Sequence, residues 1–215
     1  PPTSLIALEN THNYCMGSPI RPGYMQQAGN LAKRYNLQIH VDGARIFNAA
    51  VALEVDVKDL VREADSVMFC LSKGLSAPVG SLVCGNKKFI NSARKWRKMV
   101  GGGMRQSGHL AAAGIIALNE LVDKLKEDHF NAQVLAQGLA RLNGIDLDPE
   151  LIKTNIIFFS LKHPTLNPDT FLKKLETQGI KILAIQPGVF RAVLHREISE
   201  SQIERVIRVS EELTK

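Results

Sequence analysis

The sequence predicts an α/β protein with a mainly parallel sheet, followed by a smaller α/β domain. In the first half of the chain, short apolar runs typical of buried strands alternate with amphipathic runs of helical period, which favours parallel strands covered by helices on both faces. A long helical stretch over residues 107–143 separates this part from a second set of strands and helices. We therefore expect one domain at residues 1–125 and another at residues 126–215.

Composition argues against several classes of protein. Of the 215 residues, 45% are hydrophobic and 22% are charged, which is ordinary for a globular chain, and no segment approaches the ~20 apolar residues that a membrane-spanning helix needs. The net charge is +6, but the basic residues are dispersed apart from residues 94–98, so nucleic acid is not an expected partner. Cys15, Cys70 and Cys84 are too scattered for a zinc site or a disulfide framework, and we expect Cys70 and Cys84 in the core.

The first predicted strand covers residues 5–8, a short apolar run typical of an inner parallel strand. The polar residues 9–13, with the sequence ENTHN, follow it at the strand end where open α/β sheets bind ligands. A polar loop that caps the next segment explains these residues equally well. Because the chain has no initiator methionine and enters a strand almost at once, we expect it to be a fragment.

The second predicted strand covers residues 37–41 and follows a helix over residues 22–35. Asp42 and Arg45 come directly after this strand, so a carboxylate and a guanidinium lie close together at its carboxyl end. Two interpretations are open. Either the pair binds a ligand, or Asp42 caps a helix over residues 43–53 and Arg45 is exposed on that helix.

Lys73 follows the third predicted strand, residues 66–71, which is preceded by a short helix over residues 55–64. A lysine in a partly desolvated pocket loses some preference for its charged form, which frees the amine lone pair to attack a carbonyl carbon. A solvated lysine that has no chemical role is the plainer interpretation of this residue taken alone.

Arg105 stands after the last elements predicted for the first domain. A strand over residues 79–85 is expected to pair with the third strand, and an amphipathic helix over residues 87–99 ends at the glycine run 101–103. The glycines permit close backbone approach or a positive φ, so that Arg105 could meet an anion there. A loose hinge is the alternative.

The second domain is predicted to contain strands and helices and one arginine of interest. Strands are expected at residues 154–161, 181–185 and 189–195, and helices at residues 168–178 and 199–213. Ser199 and Gln202 have the spacing of a capping box. Arg191 lies inside a strand, where an unpaired buried charge is costly. It either points to solvent or faces a cleft and binds a carboxylate.

Polar side chains thus follow three consecutive strands, and together they fit one cofactor. Pyridoxal 5'-phosphate (PLP) needs a lysine for its aldehyde, a carboxylate that keeps the pyridine nitrogen protonated, and cationic anchors. Lys73, Asp42 and the arginines provide these groups. The sequence therefore predicts a PLP site at the carboxyl ends of the strands.

Several motifs also match a known enzyme family. They are HVDGAR at residues 40–45, LSKG at residues 71–74 with APVG at residues 77–80, RK at residues 97–98 with GGGMRQ at residues 101–106, LENTHN at residues 8–13 and RAVLH at residues 191–195. Together they resemble the threonine aldolases of the β-eliminating lyase group, and the resemblance extends over nearly the whole chain. It implies the aspartate aminotransferase-like fold, with an incomplete parallel-rich large domain and a small C-terminal domain, and PLP as the cofactor.

The resemblance also implies a role for each motif residue. Lys73 would be the Schiff-base lysine, and Asp42 would be the partner of the pyridine nitrogen. Arg45 would lie near the phenolate oxygen and the substrate carboxylate, and Arg191 would be the second carboxylate anchor. Arg105 would reach the cofactor phosphate across a subunit boundary. Asn10 or Thr11 would contact the ring edge. No metal site is expected.

The activity implied by the resemblance is retro-aldol cleavage of threonine or allo-threonine to glycine and acetaldehyde, in a cytoplasmic homo-oligomer, either a dimer or a tetramer. The family's N-terminal part, which holds its phosphate-binding turn and its usual base, has no counterpart upstream of residue 5. A non-catalytic subunit remnant is therefore one alternative. Another PLP lyase or racemase of the same fold is the second.

Overall fold

The computed structural model describes residues 1–215 and divides into two compact units. Unit 1 contains Pro1–His12 and Pro19–Lys124, and unit 2 contains Asn13–Ser18 and Leu125–Lys215. Each unit has its own four-stranded sheet. None of the helices combines the length and the apolar character needed to cross a bilayer.

Unit 1 contains four strands and five helices. In chain order they are β1 (Leu5–Glu9), α1 (Pro22–Tyr35), β2 (Gln38–Asp42), α2 (Ile46–Leu53), α3 (Val57–Val61), β3 (Ser66–Cys70), β4 (Ser81–Gly85), α4 (Lys87–Met99) and α5 (Gly108–Glu120). The sheet order is β1-β2-β3-β4, in which β1, β2 and β3 are parallel and β4 is antiparallel to β3. The predicted parallel-rich α/β architecture is therefore confirmed.

Strand β2 organises the core of unit 1. Ile39 and Val41 are buried on one of its faces, where helices α1, α2 and α3 supply residues such as Met25 and Leu60. Because side chains alternate along a strand, His40 and Asp42 lie on the opposite face and are only half-buried. The pattern of β2 therefore packs the helices on one side and leaves Asp42 on the other.

Three expectations about strand position and burial in this sheet are wrong. Strand β1 pairs only with β2, so it is an edge strand rather than an inner one, and its first residue, Leu5, is 49% exposed. Strand β4 is the other edge, and all five of its residues are exposed. Cys84 lies on β4 and is therefore exposed, and Cys70 at the end of β3 is half-buried, so neither is a core residue.

Unit 2 has a second sheet, in which all pairings are antiparallel. Its elements are α6 (Leu125–Leu139), β5 (Ile145–Asp146), β6 (Ile156–Leu161), α7 (Pro168–Thr177), β7 (Leu183–Gln186), β8 (Val189–Val193) and α8 (Glu200–Thr214), with the sheet order β5-β6-β8-β7. The helical stretch predicted over residues 107–143 breaks at residues 121–124. Asp128 lies in the first turn of α6, where it is buried.

Aromatic packing on one face of this sheet forms the core of unit 2. The ring of Phe190 on β8 lies 5.4 Å from that of Phe159 on β6 and 5.6 Å from that of Phe171 on α7. Leu139 and Ile203 bring α6 and α8 into the same cluster. At the start of α8, the predicted capping box between Ser199 and Gln202 is confirmed.

Two adjacent residues of α6, Asp128 and His129, make opposite contributions to the pH dependence of the stability of unit 2. Burial, assisted by the neighbouring Glu127 carboxylate, raises the pKa of Asp128 from 3.8 to about 6, against a smaller opposing effect of Arg196. Burial lowers the pKa of His129 from 6.5 to about 4. Over this pH range the folded chain binds more protons at Asp128 than the unfolded chain does, and fewer at His129, so the two effects on stability partly cancel.

We predict that substitution of either residue uncovers the contribution of the other. Relative to the unsubstituted chain, Asp128→Asn should become progressively more stable as the pH rises from about 4 to about 6, because it removes a carboxyl whose ionisation opposes folding. His129→Gln should instead gain relative stability as the pH falls from about 6.5 to about 4. Urea unfolding followed by far-UV circular dichroism at several pH values measures both, and pH-independent differences would contradict the prediction.

Candidate active site

Backbone pairing brings the ends of the first three strands to one edge of the sheet of unit 1. Asp42 lies opposite Glu9 of β1 and Met68 of β3. Beyond the strands, the Asn10 amide donates to the Asp42 carbonyl at 2.8 Å, and the Gly43 amide donates to the Met68 carbonyl at 2.8 Å. The polar clusters that follow β1 and β2 in sequence are therefore neighbours in space.

Asp42 is half-buried at this edge and keeps one carboxylate oxygen available. Its Oδ1 accepts a hydrogen bond from the Ala44 amide at 3.0 Å, while Oδ2 accepts none within the chain. The helix that follows begins at Ile46, and the residue at its N-cap is Arg45, which makes no side-chain capping bond. The interpretation of Asp42 as the cap of a helix over residues 43–53 is therefore wrong, because its carboxylate closes a local turn instead.

Gly43 allows β2 and β3 to approach each other closely behind Asp42. A Cβ at this position would lie 2.8 Å from the Met68 carbonyl oxygen and 3.0 Å from Cβ of Ile46. The contact with the carbonyl is closer than real side chains show, so any other residue here would force the two strands apart. The glycine after Asp42 thus fixes the position of its backbone.

Arg45 is half-buried, and its side chain makes no capping hydrogen bond at the start of α2. A guanidinium has five N–H donors in a planar fork that suits carboxylate and phosphate oxygens. An arginine with this burial is suited to an anionic ligand. Arg45 follows Asp42 by three residues, after the same strand.

Lys73 lies on a fixed loop between β3 and β4. The Leu71 amide donates to the Gly80 carbonyl at 2.9 Å, and the Ala77 amide donates to the Leu71 carbonyl at 3.0 Å, which closes the loop at its base. Leu75 is only 3% exposed and anchors the loop to the unit. The Lys73 side chain is exposed, so the partly desolvated pocket considered for it is not formed by this chain.

The two candidates for the ring edge, Asn10 and Thr11, are both fully buried but differ in what their side chains do. In the Asn10 side chain, Nδ2 donates to the Ile20 carbonyl at 3.2 Å, and Oδ1 accepts from the Ile20 backbone amide at 3.0 Å. These two bonds hold residues 10–20 as a closed loop. The Thr11 hydroxyl is buried and has no hydrogen-bond partner in the chain, so Thr11 is the one with capacity for a ligand.

Two further arginines are candidates for anion binding. Arg105 is exposed on the loop after α4. Arg191 belongs to unit 2, on β8 opposite Phe158 and Leu183, and it is half-buried on the sheet face away from the helices, with its Nε shielded from solvent. It therefore does not simply point into solvent.

The structure also places His40 next to Asp42, although the sequence alone gave His40 no role. His40 lies two residues before Asp42 on the same face of β2, and its Nδ1 is 2.8 Å from the hydroxyl of Ser66 on β3. This side-chain contact joins the two strands below Asp42. The alternation of β2 carried that signal, because residues i and i+2 share a face.

The family that matches this chain and the similar proteins agree with one another. The family described as β-eliminating lyase matches residues 1–162. The low-specificity L-threonine aldolase 1 of Arabidopsis thaliana is 44% identical over 204 residues, which cover 94% of this chain and 57% of the plant protein. The low specificity L-threonine aldolase of Escherichia coli is 43% identical over 204 residues, which cover 95% of this chain and 58% of the bacterial protein.

Solved structures share the fold at lower sequence identity. The threonine aldolase of Leishmania major has a TM-score of 0.79 and 20% identity, with 99% of this chain and 61% of that chain aligned. Serine palmitoyltransferase of Sphingomonas wittichii has a TM-score of 0.75 and 21% identity, with 98% of this chain and 54% of that chain aligned. The predicted fold class is confirmed, and the chain spans about 60% or less of the length of these relatives.

The contrast between Asn10 and Thr11 predicts different effects on stability. Asn10→Ala removes both bonds to Ile20 from a buried position and should lower the free energy of unfolding by about 1–3 kcal/mol. Thr11→Val removes a buried hydroxyl without a partner, keeps the side-chain shape, and should change that free energy by less than about 0.5 kcal/mol or raise it. Urea unfolding of the two variants measures these changes, and a marked loss of unfolding free energy in Thr11→Val would contradict the prediction.

Proposed function

Because this chain belongs to the β-eliminating lyase family, we propose that it is the part of a threonine aldolase that holds PLP and the substrate carboxylate. The reaction is cleavage of threonine or allo-threonine to glycine and acetaldehyde. The observation that carries the proposal is the shared strand edge of unit 1, where Asp42, Arg45 and the loop of Lys73 follow consecutive strands. The motifs at these positions are those that resemble the family.

The groups at this edge fit PLP chemically. Asp42 has a free carboxylate oxygen for the protonated pyridine nitrogen, and the orphaned Thr11 hydroxyl lies buried beside the same strand ends. Lys73 offers an unpaired amine on an anchored loop. Arg45 offers a half-buried cation for an oxyanion. Bound PLP supplies the electron sink that stabilises negative charge at the substrate Cα.

We assign a role to each residue of the site. Asp42 keeps a proton on the ring nitrogen by accepting its hydrogen bond, and Lys73 holds the cofactor through its amine. Thr11 binds at the ring edge, whereas Asn10 keeps the loop closed through Ile20. The cationic residues have the remaining tasks, Arg45 at the cofactor oxygen and the substrate carboxylate, Arg191 as the second carboxylate anchor, and Arg105 at the cofactor phosphate.

Arg45 also orients the bond to be broken. A guanidinium that binds both oxygens of the substrate carboxylate restricts its rotation, and with it the direction of the Cα–Cβ bond. Held in this way, the substrate does not lose the entropy of orientation during the reaction itself. Arg45 therefore contributes to the rate as well as to binding.

We further propose that the protein works as a homo-oligomer in the cytoplasm. Unit 1 exposes large apolar side chains on its edge strand and on the following helix, namely Leu82 at 42%, Val83 at 46%, Trp96 at 59% and Met99 at 62% exposure. Apolar groups clustered on an edge strand and a neighbouring helix are typical of a surface that another protein segment covers.

A second candidate function rests on the same exposed surface. A chain that spans less than two thirds of its relatives could associate with other subunits without catalysing the reaction itself. Turnover distinguishes an active enzyme from a non-catalytic subunit. Only the enzyme turns over allo-threonine.

We predict that Lys73 is the residue that becomes attached to PLP. Borohydride reduction of the chain incubated with PLP, followed by peptide mapping, should place the label on Lys73, because Lys73 lies on the loop after β3, the strand that pairs with β2 and Asp42. Lys73→Gln should lose this label and Lys88→Gln, an exposed lysine on α4, should retain it. Label found mainly on another lysine would contradict the assignment.

Product analysis separates the enzyme from its relatives of the same fold. Incubated with allo-threonine and PLP, the chain should release glycine and acetaldehyde in equal amounts, since the bond broken is Cα–Cβ. Asp42→Asn should reduce this rate by at least about a hundredfold, because the ring nitrogen loses the carboxylate that keeps it protonated. Pyruvate with ammonia, or the opposite enantiomer, would indicate another lyase or a racemase. A PLP-bound chain without turnover would favour the non-catalytic role.

A further inference from the structure

An opening into the core of unit 2 lies where β7 stops short of β8. Strand β7 begins at Leu183 opposite Arg191, whereas β8 continues to Val193, which pairs with Ile156 on its other side. Continued pairing would set Lys181 opposite Val193, but residues 179–182 are not paired with β8. The sheet edge therefore has a gap beside the last residues of β8.

The gap leads into a cavity with an apolar interior. Its volume is about 180 Å³, and it is lined by residues of β8, α6 and α8 and by the unpaired residues 179–182. Leu135, Ile180, Leu194 and Ile203, which line it, are all at most 9% exposed. A cavity of about 150 Å³ with aliphatic walls takes up benzene, so this one has room for a chain of about six carbons.

Two cations stand at the mouth of this cavity. The lining includes Lys181 and Arg205, both exposed, and no aspartate or glutamate. Lys181 makes no ion pair within the chain. Arg205 donates from Nη2 to the Gln178 carbonyl at 2.7 Å, which fixes its guanidinium at the opening and leaves its other donors for a ligand. The mouth is thus positive and the interior is apolar.

We propose that this cavity binds a small aliphatic monocarboxylic acid, with the hydrocarbon tail inside and the carboxylate between Lys181 and Arg205. The lining has no carboxylate to receive an ammonium group, so an amino acid with the same side chain is a poorer fit than the simple acid. The site is separate from the proposed substrate anchor, because Ala192 and Leu194 point into the core whereas Arg191 lies on the opposite face of the sheet. It does not depend on the proposed function.

Titration with 4-methylpentanoate, followed by the methyl resonances of isoleucine, tests the proposal on this chain. Ile182, Ile198 and Ile203 line the cavity, so their methyl signals should shift with saturation, while those of Ile39 in unit 1 should not. Neutral 4-methylpentan-1-ol and zwitterionic leucine should bind at least about fivefold more weakly, since neither gives the two cations an uncompensated charge.

Charge variants decide whether the cations recognise the ligand. Lys181→Gln should weaken 4-methylpentanoate binding by about fivefold, and Lys181→Arg should restore it. Lys173→Gln, an exposed lysine on α7 outside the cavity, is the matched control and should leave binding unchanged. Unchanged thermal unfolding shows that the variants are folded. No shift at the three isoleucines, equal binding of the alcohol, or equal loss in the Lys173→Gln control would overturn the proposal.

Discussion

The parallel pairing of β2 with both of its neighbours is the constraint on which the candidate site depends. It aligns the carboxyl ends of three strands, so the residues after each strand meet at one edge. The alternation of β2 then assigns Ile39 and Val41 to the core and leaves His40 and Asp42 on the other face. A register shift of one residue would bury the carboxylate and expose the core.

Fixed backbone contacts hold this edge, and the chemistry is left to side chains that the fold does not use. Gly43 lets β2 and β3 approach, the loop of Lys73 is closed by two backbone bonds, and the Asn10 side chain makes two hydrogen bonds to Ile20. Asp42 Oδ2 and the Thr11 hydroxyl remain without partners in the chain. Such a division between structural and unused polar groups is typical of a preorganised site.

Much of the fold and of the candidate site could be predicted from the sequence, because the patterns that indicate them are local. Helical period located α1 and α4, and the polar clusters after the apolar runs singled out Asp42, Arg45 and Lys73 as candidates. The predictions that failed depend on which strands become neighbours. An apolar run gives no indication whether its strand lies inside the sheet or at its edge, so the edge position of β1 and the exposure of Cys84 were predicted wrongly.

Side-chain roles within the site were equally beyond the sequence. Asn10 and Thr11 are adjacent and both polar, and only the bonds to Ile20 distinguish the loop-holding residue from the unused one. Two-residue strand β5 is too short to give a periodic signal. The gap beside β8 arises from a difference in strand length, which no local pattern predicts.

The measurement that bears most directly on the carboxyl edge as a PLP site is the affinity of the chain for PLP, determined from cofactor absorbance. Asp42→Asn and Thr11→Val should each bind PLP at least about tenfold more weakly than the unsubstituted chain, since each loses a hydrogen bond to the ring. Asp59→Asn, an acidic residue of α3 that lies away from this edge, should bind it unchanged. Equal affinity of all four proteins would contradict a PLP site at this edge.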